Sequence, residues 1–460
     1  MSTLLPTPFL ATFLSDSGGM LYRAVSLSGL LVMIGLALLL SVNRRGVNWR
    51  PVLWGVGLQL VFALILLNPV LQEFFFTTVD SGVRKLISFS EEGANFVFQS
   101  VEPHSITNAS GDLEFFIGRI SPPVKTFAFW ILPTIVFFSS LMSILYQVGF
   151  MQRIVWAIAW VMQRTMGTSG AESLSAAANI FVGQTEAPLI IRPYVNTMTR
   201  SELHAVMTGG FATVAGGVMA AYVGFLQHIP GIAGHLVTAS ILSAPAALAI
   251  SKVMYPEDGE PMSGDSLVIS AELKYRNVLE AAAEGASEGV RLAINVAAML
   301  IAFVGLIAMC DWLLQIIPVV FCDGQVAFGY AEECSSLTLS QILGWIFSPI
   351  ALAMGVPWSE AAIVGSLLGE KIVLTEFVAY IHLGDLIAAE QPVLSERSAI
   401  IASYALCGFA NFASIGIQLG GIGGIAPDRM GDLSQLALRA MIGGSLAAFM
   451  TATIAGVFLG

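Results

Sequence analysis

The sequence predicts an all-α polytopic membrane protein, and three observations carry that prediction. Hydrophobic residues make up 56% of the 460-residue chain and charged residues only 11%. A soluble domain carries roughly 25% charged residues, so this chain cannot cover itself with a water-facing surface. Seven apolar runs are each long enough to cross a bilayer as helix, which takes about 20 residues. Two further apolar stretches, near 150–200 and 338–425, are interrupted by Gly, Pro and polar residues in the same order. The net charge of −11 excludes an ordinary nucleic-acid binder, because no basic stripe is present to neutralise phosphates.

The clear spans fall at roughly 22–42, 52–70, 126–148, 203–226, 235–254, 292–318 and 434–459, with polar loops at 71–125, 255–275 and 319–337. Met1 to Met20 has no Lys or Arg ahead of its apolar residues and does not read as a cleaved signal peptide. Arg44, Arg45 and Arg50 follow the first span, which places that loop in the cytoplasm and the N-terminus outside. Alternation then puts Arg153, Arg164, Arg200, Lys252, Lys274, Arg276 and Arg429 inside as well. Arg84, Lys85, Arg119 and Lys125 in the outer loop 71–125 run against the rule without reversing it. Cys322 and Cys334 share the outer loop 319–337, where they either pair or stay as free thiols. The four cysteines have no C-x-x-C spacing for zinc or redox chemistry.

The interrupted stretches echo one another. Thr165-Met-Gly-Thr-Ser-Gly-Ala-Glu172 is matched by Ala353-Met-Gly-Val-Pro-Trp-Ser-Glu360, each after a tryptophan-containing amphipathic segment (Trp156 and Trp160; Trp345). Each leads to a glycine and then an acidic residue in apolar surroundings, Gly183 to Glu186 and Gly369 to Glu376. A Ser-Glu pair opens the next helix in both, Ser201-Glu202 and Ser395-Glu396. The topology above inverts one copy relative to the other. Paired, broken apolar segments in inverted halves are the sequence sign of a secondary transporter with a midplane site.

Several residues in these segments carry chemistry. Small residues lead to Gly183, which permits a turn, and Pro188 suits the first turn of a returning helix. The segment reads as a re-entrant hairpin whose tip presents Gln184, Thr185 and Glu186, or else as a polar cytoplasmic loop. Non-helical backbone is tolerated at membrane depth only where it lines a cavity or is buried in protein. The amide, hydroxyl and carboxylate offer the mixed donors and acceptors that a nucleobase edge needs. Glu376 has no charged neighbour closer than Lys371, and an intramembrane carboxylate is a functional candidate by default. It could accept two ribose hydroxyls, or be a neutral acid paired with Lys371 or another helix. Asn411 and Ser414, three apart in a glycine-laced run, share a face if the helix persists there. They either meet a sugar or hold helices together. An unwound turn at Thr208–Val218 would free the Val214 carbonyl beside the Thr213 hydroxyl. With Asn179 and the Val182 carbonyl these form an oxygen cage for a hard cation; a glycine face for close helix packing explains the segment equally well.

At these residues the chain resembles the concentrative nucleoside transporter family. NIFVGQTEAPLIIRP from Asn179 to Pro193, MTGGFATVAGGVM from Met207 to Met219 and SYALCGFANFASIGIQLGG from Ser403 to Gly421 look like its signatures, and the match covers residues 120–460. The resemblance implies about eight transmembrane helices plus two re-entrant hairpins in inverted repeats, divided between scaffold and transport domains, in a homotrimer of the inner (plasma) membrane. On that basis residues 1–149 hold N-terminal scaffold spans and an outer loop, 150–254 the first transport repeat, 255–337 a loop, scaffold span and outer loop, and 338–460 the second repeat. Carried over by motif, Gln184, Thr185, Glu186 and Val218 would contact the base. Glu376, Asn411 and Ser414 would contact the ribose, with Phe409 as an apolar wall. Asn179, Val182, Thr213 and Val214 would hold sodium; the family's Ser is Thr213 here, which keeps the oxygen and adds a methyl. The implied function is symport of nucleosides such as uridine, cytidine or adenosine by an elevator motion, with sodium as coupling ion and no organic cofactor. Some members use protons instead.

An intramembrane enzyme is the rival from another class. No H-E-x-x-H occurs, and the five histidines have no ligand spacing. The one G-x-S-x-G match, Gly285 to Gly289, follows an Ala- and Glu-rich helical run and lacks the strand-to-helix turn such a nucleophile needs. A passive channel is the second rival, distinguished by uptake insensitive to sodium and proton gradients.

Overall fold

The computed structural model describes residues 17–67, 69–98, 127–261, 275–316, 335–389 and 393–459, with strand segments at 104–107, 113–116, 319–322 and 325–328. In chain order, α1 (Ser17–Leu39) and α2 (Trp49–Leu66) precede α3 (Pro69–Phe98) and the antiparallel pair β1 (His104–Thr107) and β2 (Leu113–Phe116). A π-helical turn at Phe127–Ile131 opens α4 (Leu132–Gln147). One series of elements follows: α5 (Phe150–Met166), a hairpin of α6 (Gly170–Asn179) with the short α7 (Ala187–Ile190) and α8 (Arg192–Val195), a broken helix α9 (Arg200–Ala212) and α10 (Gly216–Phe225), then α11 (Ile232–Met254). The long α12 (Val278–Leu314) and a small sheet, β3 (Val319–Cys322), β4 (Gln325–Phe328) and β5 (Ser335–Ser336), intervene. The same series then repeats as α13 (Leu339–Ala353), a hairpin of α14 (Trp358–Val373) and α15 (Glu376–Ala388), broken α16 (Glu396–Leu406) and α17 (Phe412–Ile425), and α18 (Met430–Phe458).

Seven helices among the described residues are long and apolar enough to cross a membrane, one on each run read from the sequence. The broken α16–α17 is placed in its series as α9–α10 is in the first, and α17 is a shorter apolar helix. Between α13 and α14 the chain bends by 116°, at a turn where Gly355 takes a φ of 91°. Helices α9 to α11 and α18 are almost wholly enclosed by protein, whereas α1, α2 and α12 turn Leu31, Leu53 and Ile301 outward. Such outward apolar faces need lipid or another apolar surface to cover them.

Polar side chains fix where the helices start. Ser169 and Glu172 form a capping box on α6, and Thr199 and Glu202 form one on α9, each satisfying otherwise orphaned N–H groups. The two helix starts are joined by the Ser169 hydroxyl, which donates to Glu202 at 2.6 Å. In the second series the Ser395 hydroxyl donates to Glu360 at 2.8 Å, again linking hairpin to broken helix.

Five expectations need correction. The segment 71–125 is not simply a loop, because the 30-residue α3 extends through it to Phe98. Phe75, Phe76, Val79, Val83 and Ile87 recur at helical spacing and pack on the core, while Asp80 and Arg84 pair on another face; this alternation kept the segment from reading as an apolar run. Loop 319–337 carries the strand order β4-β3-β5. Cys334 and the side chain of Cys322 lie outside the described residues, so their pairing does too. Span 292–318 begins at Val278, and Gly285 and Gly289 sit within that helix. A Cβ on either would come within 3 Å of α4, at 2.5 Å from Ser143 Oγ and 2.7 Å from Val136 Cα, so these glycines serve close helix crossing. Ser201 and Ser395 are not equivalent, since Ser395 caps α16 while Thr199 caps α9 and leaves Ser201 inside the helix. Finally, no helix persists through Asn411, which instead caps α17.

Candidate functional site

The first hairpin turns where the sequence places the turn. Its entering arm ends at Asn179, residues 180–186 form the tip, and Pro188 lies in the first turn of the return. The tip rests on the α9–α10 break, Thr213 to Ala215: the Gly216 N–H donates to the Phe181 carbonyl at 3.0 Å. The second break touches the first, with the Phe409 N–H donating to the Thr213 carbonyl at 3.3 Å. Gly408 makes that contact possible. It adopts a φ of 152°, and a Cβ there would lie 2.8 and 2.9 Å from the carbonyl oxygens of Phe211 and Ala212, so only glycine fits.

Glu376 opens the return arm of the second hairpin, immediately after the capping residue Thr375. A helix N-terminus favours a carboxylate. Both of its oxygens are engaged: the Tyr222 hydroxyl donates at 2.9 Å and Asn411 Nδ2 donates at 2.7 Å. The Asn411 amide oxygen accepts the Ser414 N–H at 2.8 Å, and Glu376, Asn411 and Ser414 are all buried. Lys371 is not the direct partner of Glu376; its Nζ donates to the Ala405 carbonyl at 2.8 Å.

Gln184 is buried at the first hairpin tip, where its amide oxygen accepts Gln418 Nε2 at 3.1 Å. The same Gln418 nitrogen donates to the Met207 carbonyl at 3.1 Å, while its oxygen is buried without a partner. Thr185 packs on Gly421, where a Cβ would sit 2.9 Å from the threonine methyl. Asn411 caps α17 and Gln418 lies seven residues further along, about 10 Å of helix rise away. One helix therefore brings a carboxylate from the second hairpin and an amide from the first to opposite ends of a stretch about as long as a nucleoside. Val218 is buried in the first turn of α10, and Phe409 lies in the second break, partly buried.

Glu186 is not in this group. It is exposed, and it lines a cavity of about 250 Å³ with Tyr146 and Glu288 of α4 and α12. The cavity lies between the hairpin and those helices, and Glu376 does not border it.

Of the residues expected to hold a cation, Asn179 and Thr213 each keep an oxygen able to accept. Asn179 Nδ2 donates to the Ser175 carbonyl at 3.1 Å, leaving the amide oxygen buried with no hydrogen-bond partner. Gly209, one turn before Thr213, faces that amide, where an added Cβ would lie 3.4 Å from Nδ2. The Thr213 hydroxyl gives its proton to the Gly209 carbonyl at 2.9 Å, so its oxygen remains an acceptor. An orphaned buried amide oxygen beside a hydroxyl oxygen and unwound backbone fits a hard monovalent ion.

Tyr222 and Gln418 were not legible as site residues. Tyr222 sits in an apolar run; its ring stacks on Tyr380 at 4.2 Å between centroids and meets Phe377 edge-on, and its hydroxyl donates to Glu376. Gln418 is a lone amide in a glycine-rich helix; the i, i+7 spacing from Asn411 was the available signal.

Buried polar groups gathered at breaks in membrane-spanning helices define a transporter, not an enzyme. Residues 28–101 and 235–456 match the family described as Na+ dependent nucleoside transporter, N-terminus and C-terminus, and residues 128–228 match one described as nucleoside recognition. The chain belongs to the concentrative, sodium-dependent nucleoside transporter family, and it is a multi-pass protein of the plasma membrane. It is 43% identical to an uncharacterized transporter of Haemophilus influenzae, over 95% of this chain and 97% of that one. It is 41% identical to solute carrier family 28 member 3 of Mus musculus and 40% to sodium/nucleoside cotransporter 1 of Sus scrofa, spanning 58% and 64% of their lengths. The solved structure of CNTnw in an inward-facing substrate-bound state is similar with a TM-score of 0.81 at 40% identity, over 95% of this chain and 99% of that one.

Proposed function

We propose that this chain is a sodium–nucleoside symporter that imports nucleosides such as uridine, cytidine or adenosine. One observation carries the reading: Glu376 and Gln184, from two different hairpins, bond to the cap of α17 and to a residue two turns along it. The carboxylate end suits ribose hydroxyls, with Asn411 and Ser414 beside it. The amide end suits a base edge, with Thr185 and Val218 completing that side and Phe409 forming the apolar wall, while Glu186 faces the separate cavity beside α4 and α12. Tyr222 and Asn411 hold the Glu376 carboxylate until sugar hydroxyls replace or join them.

Sodium, when bound, would supply a positive charge to Asn179, Val182, Thr213 and Val214. Those residues belong to the first hairpin and the first break, so ordering them shapes the surface against which Gln184 rests. Coupling requires the ion to prefer the nucleoside-competent state, because a ligand shifts an equilibrium only by differential affinity. Residues 150–254 and 338–460 act as the mobile transport domain, sliding against scaffold helices from 1–149 and 255–337, in a homotrimer.

Uptake and counterflow of labelled uridine and adenosine in proteoliposomes test this, under sodium, potassium or an imposed proton gradient. Accumulation driven by sodium alone is expected. Accumulation driven by protons alone would replace the coupling ion, and uptake indifferent to both gradients would make the protein a channel.

A further inference from the structure

The two series place a hairpin arm beside the end of a half-helix in the same way, but they finish the contact differently. In the first, α6 ends at Asn179, against the last turn of α9. The Thr213 hydroxyl bonds the Gly209 carbonyl there, and among the described hydrogen bonds no Lys or Arg reaches that turn. In the second, Lys371 stands in the last turn of α14, and its Nζ donates to the carbonyl of Ala405 in the last turn of α16. The side chain is 0% exposed, and its ammonium lies 5.7 Å from the ring centroid of Phe449. The neighbouring Ser403 carbonyl takes the Tyr380 hydroxyl at 2.7 Å.

Burying an ammonium costs several kcal/mol unless its surroundings compensate. A helix C-terminus is one place that does, with orphaned carbonyls and the negative end of the dipole. An aromatic face adds to it, and the nearby Glu376 carboxylate attracts the same charge. A cation is thus built into the second half-helix end. At the first, the buried Asn179 oxygen has no partner within the protein.

We propose that Lys371 is a tethered cation filling, in the second series, the place that sodium takes in the first, so that only one half-helix end recruits an exchangeable ion. This rests on the sodium-symport reading. It makes the first hairpin responsive to sodium concentration and leaves the arm of the second tied to its break whatever the ion supply.

Thermal unfolding of purified protein without nucleoside, titrated with NaCl against KCl at constant ionic strength, tests it for wild type, Lys371→Asn and Lys371→Met. An ion bound only by the folded state stabilises as RT ln(1 + [L]/Kd), so a second site roughly doubles the limiting slope against the logarithm of sodium concentration. Lys371→Asn, which vacates the charge and supplies an oxygen, should melt low in potassium and recover in sodium with about twice the wild-type slope. Its ratio of radiolabelled sodium to uridine taken up should rise by one ion. Lys371→Met, with no oxygen to offer, should melt low and keep the wild-type slope. A wild-type slope and ratio in Lys371→Asn would overturn the proposal, and so would failure of that variant to fold in both salts. Wild type showing no sodium slope at all would instead remove the symport reading on which the proposal stands.

Discussion

Glu376 shows how much of the site rests on single hydrogen bonds. Its two oxygens accept from Tyr222 and Asn411, and a glutamine there would turn an N–H donor toward one of those donors. Hydrogen bonds to a charged group contribute about 1.5–3 kcal/mol each. Glu376→Gln should therefore abolish concentrative uridine uptake and weaken uridine binding by roughly 100-fold, measured by isothermal titration on purified protein. Near-normal uptake would take Glu376 out of the sugar site. Tyr222→Phe removes one donor and keeps the stacked ring, so binding should weaken by about tenfold while the protein stays folded. Asn179→Ala removes the orphaned amide oxygen and should flatten the sodium dependence of uptake; an unchanged dependence would count against the cage. The carboxylate was legible in the sequence because a charge in an apolar run stands out. Tyr222 and Gln418 were not, because a hydroxyl or an amide on an apolar helix acquires meaning only from what lies across from it.

Among the elements, the ends of α6, α9 and α11 are held by a buried charge cluster. Lys252 Nζ lies 2.8 Å from Glu172, 3.1 Å from Glu257 and 3.0 Å from the Ser201 hydroxyl. Glu172 also accepts the Ser169 N–H at 2.7 Å, so the cluster is continuous with the capping box of the hairpin. Breaking a buried ion pair by removing one partner costs about 3–5 kcal/mol, whereas exposed charges contribute little. Lys252→Met should thus lower the melting temperature sharply, and Lys85→Met, on the more open face of α3, should leave it nearly unchanged. Equal effects would mean that the cluster does not hold these helices together. The hairpins and breaks could be read from Gly183, Pro188 and the glycines around Thr213, since these residues act locally. The helix α3 could not, because its apolar residues are spaced by packing against α11, where Gly234 leaves room for Phe76 and a Cβ would come within 2.5 Å of its ring.

For the whole molecule the central question is whether α10 moves past α4. Gly217 of α10 faces α4 closely, and a Cβ built there would lie 3.7 Å from that of Phe138. A disulfide needs Cβ atoms about 3.5–4.5 Å apart, so cysteines replacing Phe138 and Gly217 should cross-link without backbone movement. Under an elevator, α10 travels with the substrate while α4 stays with the scaffold, and the bond would hold the protein in one state. Oxidation should then stop uridine uptake, reduction should restore it, and equilibrium binding of uridine should persist throughout. Variants carrying only one of the two substitutions should be indifferent to oxidant, which controls for the four native cysteines. Full transport by the oxidised double variant, with cross-linking verified by mass spectrometry, would show that these helices move as one body. The nucleoside would then have to cross by rearrangement of the hairpins alone.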